Sequence, residues 1–194
     1  MKFSKFSEAK KYPLLLMMAL AALMFQSCGG SDKKEDSTEV AEEANEKTGN
    51  AADDDHEFIV QAASGGMLEV ELGKMAQEKG QNQRVKDFGA MLVKDHSAAN
   101  DELKALAGAK GVVLPATLGD DHQKLVDELG QLSGAEFDKR FAEIMEKDHD
   151  KDLKEFKEIA DDGKDADLKA FAAKTLPTLQ QHHDEVKAIR DAMK

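Results

Sequence analysis

Two stretches decide the fold: FGAMLVKDHSAANDELKALA at residues 88–107 and FAEIMEKDHDKDLKEFKEIA at residues 141–160. At an offset of 53, Phe88, Lys94, Asp95, His96, Glu102, Lys104 and Ala107 match Phe141, Lys147, Asp148, His149, Glu155, Lys157 and Ala160. Met91, Leu92, Leu103 and Leu106 fall opposite Ile144, Met145, Phe156 and Ile159. Apolar residues recur at spacings of three and four in both, the period of a helix buried along one face. The two segments read as copies of one helix, each with Lys-Asp-His at the same turn.

The same period continues outward from this pair. Helix one is expected over about 55–79, with Phe58, Ala62, Leu68, Leu72 and Ala76 inward; Gly65-Gly66 either loosens it or marks its true start. Gly80 closes it, and Asn82 caps helix two, expected over about 83–109 and ended by Gly111. The connection after it holds Pro115 and a short helix over about 118–131 carrying Leu125, Val126 and Leu129. Ser133-Gly-Ala-Glu136 has the capping-box pattern and opens helix three, about 134–161. Helix four covers about 165–193, with a kink expected at Pro177. No stretch alternates with period two. The chain reads as an all-α four-helix bundle, with an extra short helix in the long connection between helices two and three.

The first 53 residues are of another kind. Lys2, Lys5, Lys10 and Lys11 precede an apolar run from Leu14 to Phe25, the length of a signal-peptide core and too short to span a bilayer. Phe25-Gln-Ser-Cys28-Gly-Gly resembles a bacterial lipobox, although Phe25 and Gln26 depart from its strictest form. Residues 1–27 are therefore expected to be a lipoprotein signal peptide, with Cys28 the lipidated residue. Two or more acyl chains there would give stable anchoring. Residues 28–53 lack aromatics and have one large aliphatic residue, Val40, so they read as a flexible acidic tether. Lys34-Glu35-Asp36 resembles a basic-then-acidic export tag of surface lipoproteins; a plain solvated tether is the alternative. The domain proper is expected over 54–194. The implied partner is a membrane, reached through the acyl chains, and the implied location is the outer membrane, on its periplasmic side or at the cell surface.

Composition excludes several functions. Twenty-seven basic against 39 acidic residues give a net charge of −12, which opposes a nucleic-acid partner. One Cys leaves no disulfide framework and no Cys-based zinc or iron–sulfur site. No nucleophile motif or phosphate-binding loop is present.

The histidines carry the chemistry that remains. His96 follows Leu92 by four, His149 follows Met145 by four, and His182 follows Leu179 by three, so each lies on an inward stripe; His183 flanks the last. Glu69 stands at the edge of helix one's inward face, and Glu146 makes a Glu-x-x-His pair with His149. Imidazole and carboxylate bind iron, manganese, zinc or copper, and helices fix ligand direction well. Glu69, His96, Glu146, His149, His182 and His183 are the candidate metal ligands. They meet only if they share one height in the bundle; otherwise they form a His–carboxylate network, in which pH sensing is a third reading. Asp95 and Asp148 are read as solvated or partly exposed, with orientation of a neighbouring histidine as the alternative. The methionines read as core filler.

Several motifs carry a resemblance. Leu68-Glu-Val-Glu-Leu-Gly-Lys-Met-Ala76, Val85-Lys-Asp-Phe88, Met91-Leu-Val-Lys-Asp-His-Ser97, Leu114-Pro115, Leu132-Ser-Gly134, Phe137-Asp138, His149 and Leu176-Pro-Thr-Leu179, then His182 or His183, follow one another as in the domain-of-unknown-function 4142 family, often described as outer-membrane proteins. The resemblance covers about residues 55–192. It implies a ferritin-like fold and an exported bacterial protein, and no established activity. The di-iron pattern of true ferritins asks for Glu-x-x-His on two helices. Helix two has Val93 and helix four Leu179 where those glutamates would stand, and only Glu146/His149 fits. The functional expectation is a binding module for a metal, small ligand or partner; the alternative is a metal-storage protein or metalloenzyme.

Overall fold

A computed structural model describes residues 35–47 and 54–194. The expected signal peptide and Cys28 lie outside the described residues. Among those described there are six helices and no strand: α1 Ser37–Lys47, α2 Asp54–Lys79, α3 Gln83–Lys110, α4 Asp120–Gly130, α5 Gly134–Asp162 and α6 Ala166–Asp191. The five expected helices are present within about two residues of their expected ends. α2 runs unbroken through Gly65-Gly66, and α6 is continuous through Pro177.

The helix ends follow from local chemistry. The Asn82 side chain accepts a hydrogen bond from the Arg84 N–H (2.9 Å) and caps α3. Gly111 adopts a left-handed φ of 70°, which lets the Val112 N–H reach the Ala107 carbonyl (2.9 Å) and stop the helix. The expected capping box at Ser133 does not form. Gly134 has φ +61°, so the chain enters α5 through a left-handed residue that turns Ser133 away from the N–H groups it would cap.

α2 packs on α3 and α5, and α6 packs on α5 and α3. α3 and α6 run antiparallel: Arg84 pairs with Glu185 (2.9 Å), Glu102 with Lys174 (2.7 Å) and Lys110 with Asp165 (2.5 Å). α2 and α5 also run antiparallel, with the Phe58 and Phe156 rings in edge contact at 4.9 Å. Every neighbouring pair of long helices is therefore antiparallel, while α3 and α5 point the same way. The chain must return along the molecule between them, and this is why the 111–133 connection is long.

The two hairpins, α2–α3 and α5–α6, lock each other's turns. Buried Asp138 accepts from the N–H groups of Gln81 (3.0 Å) and Asn82 (2.7 Å). Buried Asp55 accepts from those of Lys164 (2.9 Å) and Asp165 (2.6 Å). The two locks are related by an offset of 83 residues, which takes Asp55 to Asp138, Gln81 to Lys164 and Asn82 to Asp165. At that offset Phe58, Glu69, Gly80, Asn82 and Phe88 fall on Phe141, Asp152, Gly163, Asp165 and Phe171. The hairpin, not the single helix, is the repeating unit. The offset of 53 relates only the like-directed helices α3 and α5.

α1 is a departure from expectation, since residues 28–53 read as a tether. Ala41 is 2% exposed, and the Asn45 amide donates to the Val113 carbonyl (3.0 Å) and accepts from its N–H (2.7 Å). Asp36 accepts from the N–H groups of Thr38 (2.7 Å) and Asp120 (2.6 Å), tying the starts of α1 and α4 together. α1 is held by side-chain hydrogen bonds to backbone rather than by apolar area, which a composition argument does not register.

The core has two apolar clusters. One contains Leu72, Phe88, Leu92, Phe137, Phe141, Met145, Val186 and Ile189; the other contains Phe58, Ile59, Leu103, Phe156, Leu168, Phe171 and Leu179. His96 falls between Leu92 and Leu103, His149 between Met145 and Phe156, and His182 between Leu179 and Val186. A buried polar layer thus divides the core.

Candidate metal centre

That layer takes one residue from each long helix: Glu69 from α2, His96 from α3, His149 from α5 and His182 from α6. Their exposures are 1%, 5%, 0% and 0%. The imidazole centroids form a triangle of 5.1, 5.4 and 5.7 Å. One ligand nitrogen from each ring lies within 4.8 Å of the other two. The shared height that the sequence could not give is present.

Each ring has one nitrogen held from outside the triangle. His149 Nδ1 lies 2.9 Å from the Met145 carbonyl. A carbonyl only accepts, so Nδ1 carries the hydrogen and Nε2 of the neutral ring keeps its lone pair. His182 Nε2 lies 3.2 Å from Asp95 Oδ2 and donates to it. Burial pushes Asp95 up, but hydrogen bonds from His182 and Lys94 outweigh it and hold this carboxyl below its usual range. His96 Nδ1 lies 2.6 Å from Glu69 Oε2, and His96 Nε2 stands 3.2 Å from His182 Nδ1. Outer partners of this kind orient metal-binding histidines and fix their tautomers.

Burial sets the protonation. It lowers His96 and His182 to about 4 and His149 well below its ordinary value. Burial, with the Asp148 charge, raises Glu69 well above the carboxylate range. The neutral layer is therefore a directed chain. The Glu69 hydroxyl donates to His96 Nδ1, His96 Nε2–H to His182 Nδ1, and His182 Nε2–H to Asp95. Glu69 Oε1 and His149 Nε2 are left buried and unpartnered, 3.4 Å apart. Such orphans cost free energy in a core. Removing the Glu69 proton shifts the His96 hydrogen to Nδ1, and then His96 Nε2, His182 Nδ1 and His149 Nε2 all present lone pairs. This donor set suits a borderline divalent ion such as zinc, iron or copper.

Two candidates from the sequence are not in the layer. Glu146 pairs with Arg190, and His183 Nε2 lies 3.1 Å from Asp150. Three residues turn a helix by about 300°, which leaves Glu146 roughly 60° off the direction of His149 and beside α6. His122 is structural, with Nδ1 2.7 Å from the Ser64 hydroxyl.

Three aspartates matter more than expected. Asp95 is not merely solvated; it holds His182. Asp148 and Asp152 are half-buried, and each has a carboxylate oxygen within 4.8 Å of the other's and of one on Glu69. Burial raises Asp148 to about 6; burial and the neighbouring Glu69 and Asp148 raise Asp152 well above its ordinary value. Asp152 lies three residues after His149, a signal that the sequence held. A cavity of about 20 Å³, lined in part by Glu69, His96, Asn100 and Asp152, adjoins the layer. It has room for one water or one ion.

The sequence profile described as a domain of unknown function, DUF4142, matches residues 40–189, and the chain belongs to this family. No curated protein and no solved structure matches it.

Proposed function

We propose that this protein is a metal-binding module of the cell envelope, held to the outer membrane by acyl chains on Cys28. Its four long helices are read as a ferritin-like four-helix bundle whose two antiparallel hairpins each bring two of the four buried polar residues to a common height. His96, His149 and His182 would hold a single transition-metal ion, and Glu69 would supply a carboxylate and balance its charge. The ion's chemistry there is that of a Lewis acid or redox centre. The protein's own part is to orient three imidazoles through Asp95, Glu69 and the Met145 carbonyl, and to exclude water.

One observation carries the reading. Three buried rings, each anchored at one nitrogen by a group outside the triangle, converge their other nitrogens on a layer that holds two orphaned ligand atoms. The adjoining cavity has a volume of about 20 Å³, the size of one ion or one water.

Residues 29–194, which include every described residue, purified without a histidine tag and reconstituted with zinc, should retain one ion per chain. His149→Ala or His182→Ala should lose it. Protein that stays metal-free after separate exposure to iron, manganese, zinc and copper would overturn the reading. The anchor has its own test: Cys28→Ala should move the full-length protein out of the membrane fraction, and unchanged retention would refute lipidation there.

A further inference from the structure

We propose that Glu69, Asp148 and Asp152 form a second cation site, for a hard divalent ion such as manganese or magnesium, sharing Glu69 with the imidazole layer. One carboxylate oxygen of each residue lies within 4.8 Å of the other two. Three acidic groups on a surface would mean little. Here Glu69 is 1% exposed and its Oε1 has no hydrogen-bond partner, and Asp148 Oδ2 is likewise buried and unpartnered. Among the described residues no lysine or arginine forms an ion pair with any of the three. The nearby Lys151 ammonium lies 3.5 Å from Glu155.

The fold places this cluster deliberately. Glu69 and Asp152 are equivalent positions of the two hairpins, 83 residues apart, and they meet where antiparallel α2 and α5 pass each other. Asp148 is one helical turn before Asp152 and shares its face. Glu69 and Asp152 both line the 20 Å³ cavity, whose size suits one ion. Oxygen-only ligands select hard cations, whereas the imidazoles beside them select borderline ones. The pair of sites would therefore sort two ions by ligand softness.

The test loads residues 29–194 with one equivalent of zinc and then titrates manganese(II), followed by electron paramagnetic resonance and elemental analysis. One manganese bound beside one zinc is expected. The Asp148→Asn/Asp152→Asn double variant should keep its zinc, which also reports an intact fold, and bind manganese at least tenfold more weakly. Manganese that binds the double variant equally well, or does not bind the zinc-loaded protein, overturns the second site. Should the variant lose zinc too, paramagnetic broadening in the wild-type NMR spectrum decides. Amides of residues 66–72 and 145–156 broadened first support the site, and broadening centred elsewhere overturns it. Manganese binding that needs Asp152 in a protein unable to hold zinc would sustain this site and overturn the imidazole one.

Discussion

Gly73 and Gly89 meet backbone to backbone across the α2–α3 interface. A Cβ on Gly73 would stand 2.7 Å from the Gly89 carbonyl oxygen, and one on Gly89 would stand 2.6 Å from that of Gly73. Neither neighbour is a flexible side chain that can swing away. This approach sets the spacing of the two helices one turn beyond Glu69 and two turns before His96, whose side chains close to 2.6 Å. Alanine ordinarily favours a helix over glycine by about 1 kcal/mol. Here the overlap should win, and Gly89→Ala should destabilise the fold by about 1–3 kcal/mol. The same variant should weaken zinc binding, because the helices must part where Glu69 reaches His96. Urea unfolding and a zinc competition assay read the two effects.

The turn locks offer a cleaner measure of stability. Asp138 is 3% exposed and accepts two backbone N–H groups from the opposite hairpin. Hydrogen bonds to a charged group contribute about 1.5–3 kcal/mol each, and orphaned N–H groups add a penalty. Asp138→Ala should cost about 2–4 kcal/mol in chemical denaturation. Asp55→Ala should cost a similar amount, since it plays the equivalent part for Lys164 and Asp165. Asp138→Asn, which keeps one acceptor oxygen, should fall between wild type and alanine.

How far the sequence was legible depends on which force built each part. The long helices follow from apolar spacing, so α2, α3, α5 and α6 emerge close to their expected ends. His96, His149 and His182 could be placed on inward stripes for the same reason. Their common height depends on helix register, which Gly73, Gly89 and the two buried aspartates set through tertiary packing. α1 was hidden because Asn45 and Asp36 hold it through hydrogen bonds rather than apolar area. Asp152 is hard to single out because a charged residue among Lys and Glu looks like a solvated face. Glu146 has a ligand spacing to His149, while Arg190 on α6 becomes its partner only in three dimensions.

Glu146 and His183 give a direct test of that distinction. Glu146 pairs with Arg190, and His183 with Asp150 on the flank of α5. Glu146→Gln and His183→Asn should leave zinc stoichiometry at one per chain and change affinity by less than about threefold, a shift below roughly 0.7 kcal/mol. Loss of the ion in either variant would mean that the ligand set differs from the triangle of His96, His149 and His182.

The pH dependence of stability should change sign when metal binds. In the metal-free protein Glu69 and Asp152 have carboxyl groups raised well above their ordinary values, so the folded state holds protons that the unfolded chain has released. Stability must then fall as pH rises through that range. His96 and His182, lowered to about 4, act oppositely. Between about 4 and 6.5 the unfolded chain binds protons that the folded rings refuse, so their contribution is lost as pH falls through that window. Asp148, raised to about 6, offsets part of this between 3.8 and 6. Well above pH 6.5 the histidines are neutral in both states and the carboxyls alone set the slope. Metal-free protein should therefore lose stability as pH rises through the range in which the folded Glu69 and Asp152 release their protons. Asp152→Asn should flatten that slope. With zinc bound, Glu69 is ionised and paired, and the dominant linkage becomes proton competition for the ligands. Stability should then rise over the same interval, with about one proton released per zinc taken up from the Glu69–His96 pair. Urea denaturation at several pH values, with and without zinc, and calorimetry in buffers of different ionisation enthalpy, measure both. A metal-free slope that matches the zinc-loaded one would show that Glu69 and Asp152 are already ionised in the fold.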